Sequence, residues 1–430
     1  MASDNNSAIR TYLANLLQDP IIAAHAAVLG VVQRERKVDV VCLVWTLVLG
    51  FGAGSKRSIA SLRRTYIAVS GHTLAPSSFY DRLTPELAQL MRRLLEYVLE
   101  FQREQLSEFH GELMRGFERL IAMDATILRL HDLLASKYSG CRTNHSPAAA
   151  KLHMVMNVID GSPNQIRLTD ERTGDVGPWK RLGRWVEGSL LLFDLGYYDF
   201  NFFHRIDRRG GFFVSRLKTT ANPRIVADLG EGPGRRIDVE GRRLQDVITR
   251  LKRERFEAIV EVPVKLRAYR GRQRKILRQF RLVAVRNHGT GQYHIYLTNA
   301  SSTQLHVEDV AAVYALRWQV ELLFRQLRQM GRIDHLPSTQ PHIVEALIYG
   351  GILALALANR LLGALRRRVE DRTLPTLRFY EVFRTFAQQL LLELTAHRRT
   401  RPVNLFEIIL HESIDPNLIR PRSADVIWNL

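Results

Sequence analysis

The chain has 430 residues, of which 46% are hydrophobic and 24% charged, proportions that exclude a disordered chain or a low-complexity fibre and suffice for two or three cores. Its 62 Lys and Arg against 43 Asp and Glu give a formal net charge of +19, a surplus usually matched by a polyanion, with nucleic acid and an anionic membrane surface as the common partners. Two cysteines, Cys42 and Cys141, exclude a disulfide framework or a thiolate metal cluster and point to a reducing cytoplasm.

The N-terminal MASDNNSAIR lacks a basic segment followed by an apolar one, so no export signal is expected. Residues 1–115 read as helical, from the three- and four-residue apolar spacing in AIRTYLANLL, VVCLVWTLVL and PELAQLMRRLLEYVLEF. Between these runs, a helix is expected from Ser58 to Val69, stopping at Ser70-Gly71, with a second starting near Ser77 or Ser78 as its cap. The pair reads either as a DNA-binding helix-turn-helix with Lys56, Arg57, Arg63 and Arg64 on the first helix, or as a hairpin within a bundle. Val38–Phe51 and Ile343–Leu365 invite comparison with membrane spans, but the first is short and carries Asp39, and the second holds Glu345, Asn359 and Arg360. Buried helices are expected at both, and no membrane partner.

From Leu120 the period turns extended, in LIAMDATILRL, AKLHMVMNVI and NQIRLTD. A helical GPWKRLGRWVEG follows, then the strand SLLLFDLGYY, the helix FNFFHRIDRRG and the strand GFFVSRLK. Such alternation predicts a mixed sheet covered by helices. Residues 219–302 break the pattern with Gly/Pro turns and strand candidates, and read as an inserted β-rich module. Between His204 and Arg286 there are 23 Lys and Arg against 9 Asp and Glu, a net of +14. The run KLRAYRGRQRKILRQFR alternates at strand spacing with a turn at Gly271, which suits a groove for a phosphate backbone better than a membrane-surface helix. Arg270, Arg272, Arg274 and Lys275 are its expected phosphate contacts. Helices return at Val307 and continue beyond Leu374 into a polar, Pro-containing tail.

Three acids stand out by their setting. Asp124 interrupts an apolar strand, where a carboxylate is costly unless compensated. Asp194 ends the apolar strand SLLLFD, and strand carboxyl ends are where open sheets present functional groups. Each alone is as readily a structural, hydrogen-bonded Asp as a ligand. Glu321 lies on a helix and alone reads as a surface charge paired with Arg317 or Arg325. Yet Tyr314, Arg317, Glu321 and Arg328 are spaced by three, four and seven, on one helical stripe, a poor core and a good substrate-facing surface.

These motifs together resemble the DDE transposases of the insertion-sequence-four group. The signature Y-x2-R-x3-E-x6-K corresponds to Tyr314, Arg317, Glu321 and Arg328, with Arg in place of the usual Lys. The D-[ATG]-T and D-x-G-Y settings correspond to Asp124-Ala125-Thr126 and Asp194-Leu195-Gly196-Tyr197. The segments Ala150–Val158 and Tyr296–Asn299 fit as well, and the resemblance runs from about Leu120 to Leu365.

The resemblance implies an α/β fold, with a ribonuclease H-like catalytic core at 116–218 and 303–372. A β-rich basic insertion at 219–302 interrupts that core. A helical N-terminal domain at 1–115 and a helical C-terminal region at 373–430 flank it. It implies Asp124, Asp194 and Glu321 as ligands of two Mg²⁺ ions, Mn²⁺ being an alternative, since hard oxygen ligands suit both. It also implies cut-and-paste transposition of a bacterial insertion sequence, with double-stranded DNA (terminal inverted repeats and target) as partner and a homodimer on DNA in the cytoplasm, at the nucleoid. Tyr314, Arg317 and Arg328 are expected to hold the DNA end, and Tyr269, Phe280, Tyr293 or Tyr296 to stack on a flipped base. Two other readings stay open: an element-derived DNA-binding protein or repressor without catalysis, and a metal-dependent nuclease without strand transfer.

Overall fold

Alternation along one strand dictates the layering. In β1, Arg119–Arg129, Leu120, Ala122 and Leu128 enter one apolar cluster while Ile121 and Met123 enter another. Successive strand residues point to opposite faces, so a strand with a core on each side must lie inside a covered sheet. The computed structural model describes residues 2–395 except 32–37, 55–56, 71–73, 106–115, 143–145, 160, 162, 231–238, 252, 266–274, 288, 332, 334–335 and 369–373.

At the centre is a mixed ten-stranded sheet. β1 pairs antiparallel with β3, Ser146–Asn157, and parallel with β5, Ser189–Phe193. The far edge of β3 is shared by β2, Ser139–Arg142, and β4, Pro163–Asp170. β6, Phe212–Arg216, lies parallel to β5, and β10, Tyr293–Thr298, antiparallel to β6. From β10 the sheet continues as an antiparallel meander of β9, Lys275–Arg286, β8, Arg255–Lys265, and β7, Arg224–Asp228. The strands of the 219–302 stretch are thus hydrogen-bonded into the sheet that contains β1.

Two helical sets cover one face. The first comprises α1 (Ala2–Leu16), α2 (Asp19–Leu29), α3 (Val40–Trp45), α4 (Ile59–Ser70), α5 (Pro76–Tyr80) and α6 (Pro85–Gln105). After α7 (Phe200–Arg208), which crosses over from β5 to the parallel β6, and α8 (Leu244–Ile248), between β7 and β8, the second comprises α9 (Asp309–Ala315), α10 (Gln319–Gly331), α11 (Pro341–Arg366) and α12 (Thr376–Thr395). Among the described residues α11 alone is long and apolar enough to cross a membrane; it is buried, with Leu347, Ile352 and Leu355 wholly covered. Its Asn359 donates to the Gly161 carbonyl at 3.0 Å and accepts from the Tyr380 hydroxyl, which explains a polar side chain in an apolar helix. α11 crosses the 46–52 segment so closely that a Cβ at Gly52 would lie 2.6 Å from the Gly350 carbonyl oxygen.

Local structure departs from expectation in four places. The stretch GPWKRLGRWVEG is two three-residue 3₁₀ turns, 177–179 and 184–186, because Gly177, Pro178 and Gly183 punctuate it. The Val38–Phe51 helix is α only to Trp45 and continues as a π-helix through 46–52. Ala75, not Ser77 or Ser78, caps α5, with Pro76 in its first turn, where a missing N–H costs nothing. The single helix expected around Glu321 is α9 and α10 joined by a 3₁₀ turn at Leu316–Trp318. Lys56 and Gly71 lie outside the described residues.

The other face packs an aromatic cluster. Phe203 stacks on Phe213 at 4.5 Å between ring centroids, Phe193 stacks on both, and Phe280 meets Phe213 edge-on. Trp179 and Trp185 close it from the 3₁₀ turns.

Candidate active site

Register brings two of the predicted acids together. Met123 and Phe193 are partners in the parallel β1–β5 pair, so Asp124 and Asp194 are the next residues on adjacent strands. Both follow a residue of the aromatic face, so strand alternation places them toward the helix-covered face. β5 ends at Phe193; the Asp194 carboxylate then caps the turn Leu195–Tyr197, accepting from the Gly196 N–H at 2.9 Å.

The third acid arrives from the helices. Val320, Leu323, Phe324 and Leu327 bury one stripe of α10 in the same core as Leu120 and Ala122, which leaves Glu321 and Arg328 on its margin. Arg317 Nη2 lies 2.8 Å from Glu321 Oε1 and Arg317 Nη1 lies 3.7 Å from Asp124 Oδ2, so one guanidinium stands in the interval between two acids. Arg328 donates to the Thr126 hydroxyl, two residues along β1 from Asp124 and on the same face. Tyr314 packs its ring against Tyr296 at 5.2 Å, and burial pushes its phenol up.

Asp124 is only 18% exposed. Burial, its largest influence, pushes its carboxyl up to about 6; the Ala125 N–H and Arg317 oppose that, while Asp194 and Glu321 add to it. The three acids therefore form one electrostatic group, with Arg317 offsetting part of their mutual repulsion. Among the described residues no three His, Cys, Asp or Glu side chains converge tightly enough, as they stand, to hold a metal ion. The donor set is nonetheless all carboxylate oxygen, which suits Mg²⁺ or Mn²⁺.

Arg270, Arg272 and Arg274 lie outside the described residues; Lys275 opens β9 opposite Lys265, exposed, away from the acids in the strand order. Tyr269 is likewise outside. Phe280 is 4% exposed and belongs to the aromatic core, so no base can stack on it in this arrangement. Tyr296 is buried against Tyr314, and the Tyr293 hydroxyl donates to the Arg253 carbonyl. Trp318, an exposed aromatic beside Arg317, is not among the aromatics expected from the sequence to stack on a base, which were sought between Asp194 and Arg317.

Residues 115–357 match the family described as Transposase DDE domain. The chain is similar to the transposase for insertion sequence element IS231F of Bacillus thuringiensis subsp. israelensis, 21% identical over 330 residues, 70% of this chain and 68% of that one. It is similar also to the transposase for IS1151 of Clostridium perfringens, 20% identical over 329 residues, 70% of this chain and 69% of that one. The putative transposase y4zB of Sinorhizobium fredii is 26% identical over 268 residues, 61% of this chain and 66% of that one. Among solved structures, a piggyBac transposase synaptic complex with hairpin DNA matches with a TM-score of 0.47 and 10% identity, covering 96% of this chain and 87% of that one.

Proposed function

The chain belongs to the family of transposases with a DDE domain, and on that premise we propose that Asp124, Asp194 and Glu321 are its three catalytic acids, serving cut-and-paste transposition of a bacterial insertion sequence. The observation that carries this reading is the register of β1 and β5, which sets Asp124 beside Asp194 under the helix that bears Glu321. The strand order β4-β3-β1-β5-β6, three antiparallel strands followed by two parallel to β1, supports a ribonuclease H-like core. The Tyr314, Arg317, Glu321 and Arg328 spacing supports the insertion-sequence-four group.

Asp124, Asp194 and Glu321 would hold divalent ions, Mg²⁺ or Mn²⁺. Ions held there would supply a polarised water and charge stabilisation for the oxygen that leaves a phosphodiester. The chain's own residues do the rest. Asp124 must be ionised, which its raised pKa permits only above about pH 6 without a cation. Arg317 must leave the interval it shares with Asp124 and Glu321, and its planar fork then suits a phosphate beside the scissile bond. Arg328, tied to Thr126, braces α10 against β1 and keeps Glu321 over the strand. The basic strands beyond β10 would take the DNA backbone. A homodimer on paired inverted repeats, in the cytoplasm, completes the reading; the domain divisions at 115, 218, 302 and 372 belong to it.

The test is incubation of the purified chain and Mg²⁺ with duplex DNA carrying the inverted repeats that flank its gene, together with a target plasmid. Cleavage at the repeat ends, joined products, and the loss of both in Asp194→Asn are expected. Cleavage without joining would replace this reading with a nuclease, and binding without cleavage with a repressor.

A further inference from the structure

β9 carries a charged residue into the core. Val283 belongs to the helix-covered side, so Arg281, two residues before it, faces the same side as Asp124, and it is only 4% exposed. Its Nε donates at 2.6 Å to Oε1 of the partly buried Glu257 on β8, and its Nη1 donates at 2.6 Å to the Leu305 carbonyl. The same Nη1 lies 3.3 Å and 3.4 Å from the carbonyl oxygens of Ser301 and Ala300. One guanidinium thus gathers three carbonyls of the loop 299–308 and ties them to two strands.

Stability alone is a poor reason for such a residue. The desolvation of two buried charges offsets most of their attraction, and apolar residues of similar volume commonly serve as well. What a guanidinium adds is geometry, a planar fork with fixed donor directions. The loop it holds is the one that launches the helices bearing the third acid. Glu308 is the N-cap of α9, and its Oε2 is 2.9 Å from Nη1 of Arg255 on β8. α9, the 3₁₀ turn and α10 then follow one another without an intervening loop, so Glu321 rides on a run of helix whose base is fixed to β8 and β9. Val310 and Val313 seat that run in the core, and Tyr314 packs it against Tyr296. At the other end of the loop, Asn299 donates to the Gly211 carbonyl and accepts from the Phe213 N–H, both at 2.9 Å, which anchors it to the start of β6.

We propose that Arg281 is a positioning residue for the reaction: by fixing the loop 299–308 to β8 and β9 it sets where α9 begins, and through α9 the reach of Glu321 toward Asp124 and Asp194. The proposal rests on the reading of Glu321 as the third cation ligand, and goes beyond it by assigning the placement of that ligand to a side chain in the β-rich stretch. The basic strands and the third acid then move as one piece, braced at β9 by Arg281 as α10 is braced at β1 by Arg328.

The test is a double-variant cycle on Mn²⁺ binding to the full-length chain, read from the electron paramagnetic resonance of free Mn²⁺, without DNA or turnover. Arg281→Lys keeps a charge beside Glu257 but offers a single ammonium where the fork met both the carboxylate and the loop. It should weaken Mn²⁺ binding about tenfold, the loss typical of a residue that orients a metal ligand. In Glu321→Gln, where the ligand to be placed is gone, the same substitution should cost nothing further. Arg281→Met/Glu257→Met removes the pair without leaving a lone buried charge and should behave alike. Both variants should melt in EDTA as folded proteins. Equal losses with and without the Glu321 carboxylate would make Arg281 a general structural residue and overturn the proposal. Unchanged affinity in a folded variant, or failure of both variants to fold, would overturn it too. Wild-type Mn²⁺ affinity in Glu321→Gln would instead overturn the reading of Glu321 as a ligand, and the role of Arg281 with it.

Discussion

The two faces of the sheet solve different problems with the same strands. Toward α7 and the 3₁₀ turns, Phe193, Phe203, Phe213 and Phe280 interlock as stacked and edge-on rings, and the face is closed. Toward α10 and α11 the filling is aliphatic, and at its margin Asp124, Thr126, Arg317, Glu321 and Arg328 form a charged fringe. Rigid rings hold β5 and β6 in place from behind, and the helix-covered side can then carry groups that are poor for stability. Asp194 follows the carboxyl end of β5, while Asp124 lies midway along β1, at the point where its parallel pairing with β5 ends.

The largest effect is expected on the closed face. Phe213→Ala removes a ring in contact with three others and should cost about 3–5 kcal/mol. A denaturant midpoint shifted by less than a third of that would show that the aromatic face is not the brace described here.

The open face should respond with the opposite sign. Asp124 has a carboxyl raised from 3.8 to about 6 by burial, so the folded protein binds this proton more tightly than the unfolded chain does. Protonation therefore favours folding below about pH 4, and that advantage is lost as pH rises through about 6. Asp124→Asn removes the penalty. In EDTA it should raise stability by roughly 2 kcal/mol at pH 7.5 and leave it unchanged near pH 3.5. Thermal melts at the two pH values decide it; a destabilised variant at pH 7.5 would mean that Arg317 compensates Asp124 fully.

These two faces were unequally legible in the sequence. β1 and β5 announced themselves because a carboxylate inside or directly after an apolar run conflicts with the strand pattern. The pairing of Arg317 with Glu321 followed from helical spacing, and held although a 3₁₀ turn interrupts the helix at Leu316–Trp318. The stacked aromatics were visible as residues and not as a layer, since contacts between β5, α7 and β6 depend on the crossover. That the basic strands join the sheet containing Asp124 was hidden for a similar reason: β10 pairs with β6 across a long stretch of chain, and strand pairing over such separations leaves no periodic trace.

A smaller effect is expected at the seam between α10 and β1. The Arg328 bond to Thr126 is partly exposed, so Thr126→Val and Arg328→Met should each cost about 1 kcal/mol, with the double variant scarcely worse than either single one. Additive losses would mean that the two groups act separately, and would remove the proposed brace on Glu321.

The smallest effect on stability belongs to the exposed start of β9, where the effect on DNA should be large. Lys275 opens β9 opposite Lys265, and two like charges directly across a pair are unfavourable without an anion between them. Lys275→Ala should therefore leave the melting temperature within experimental scatter. Each phosphate neutralised contributes about −0.9 to the slope of log K against log salt on duplex DNA. Replacing Lys275 together with Arg270, Arg272 and Arg274 should accordingly flatten that slope by up to about 3.6 if each meets one phosphate. A titration of binding from low to moderate salt measures the slope directly, and the single Lys275→Ala variant should account for about a quarter of the change. An unaltered slope would show that these cations are solvated rather than bound to a backbone, and would return DNA contact to Arg317 and the helical fringe around Asp124.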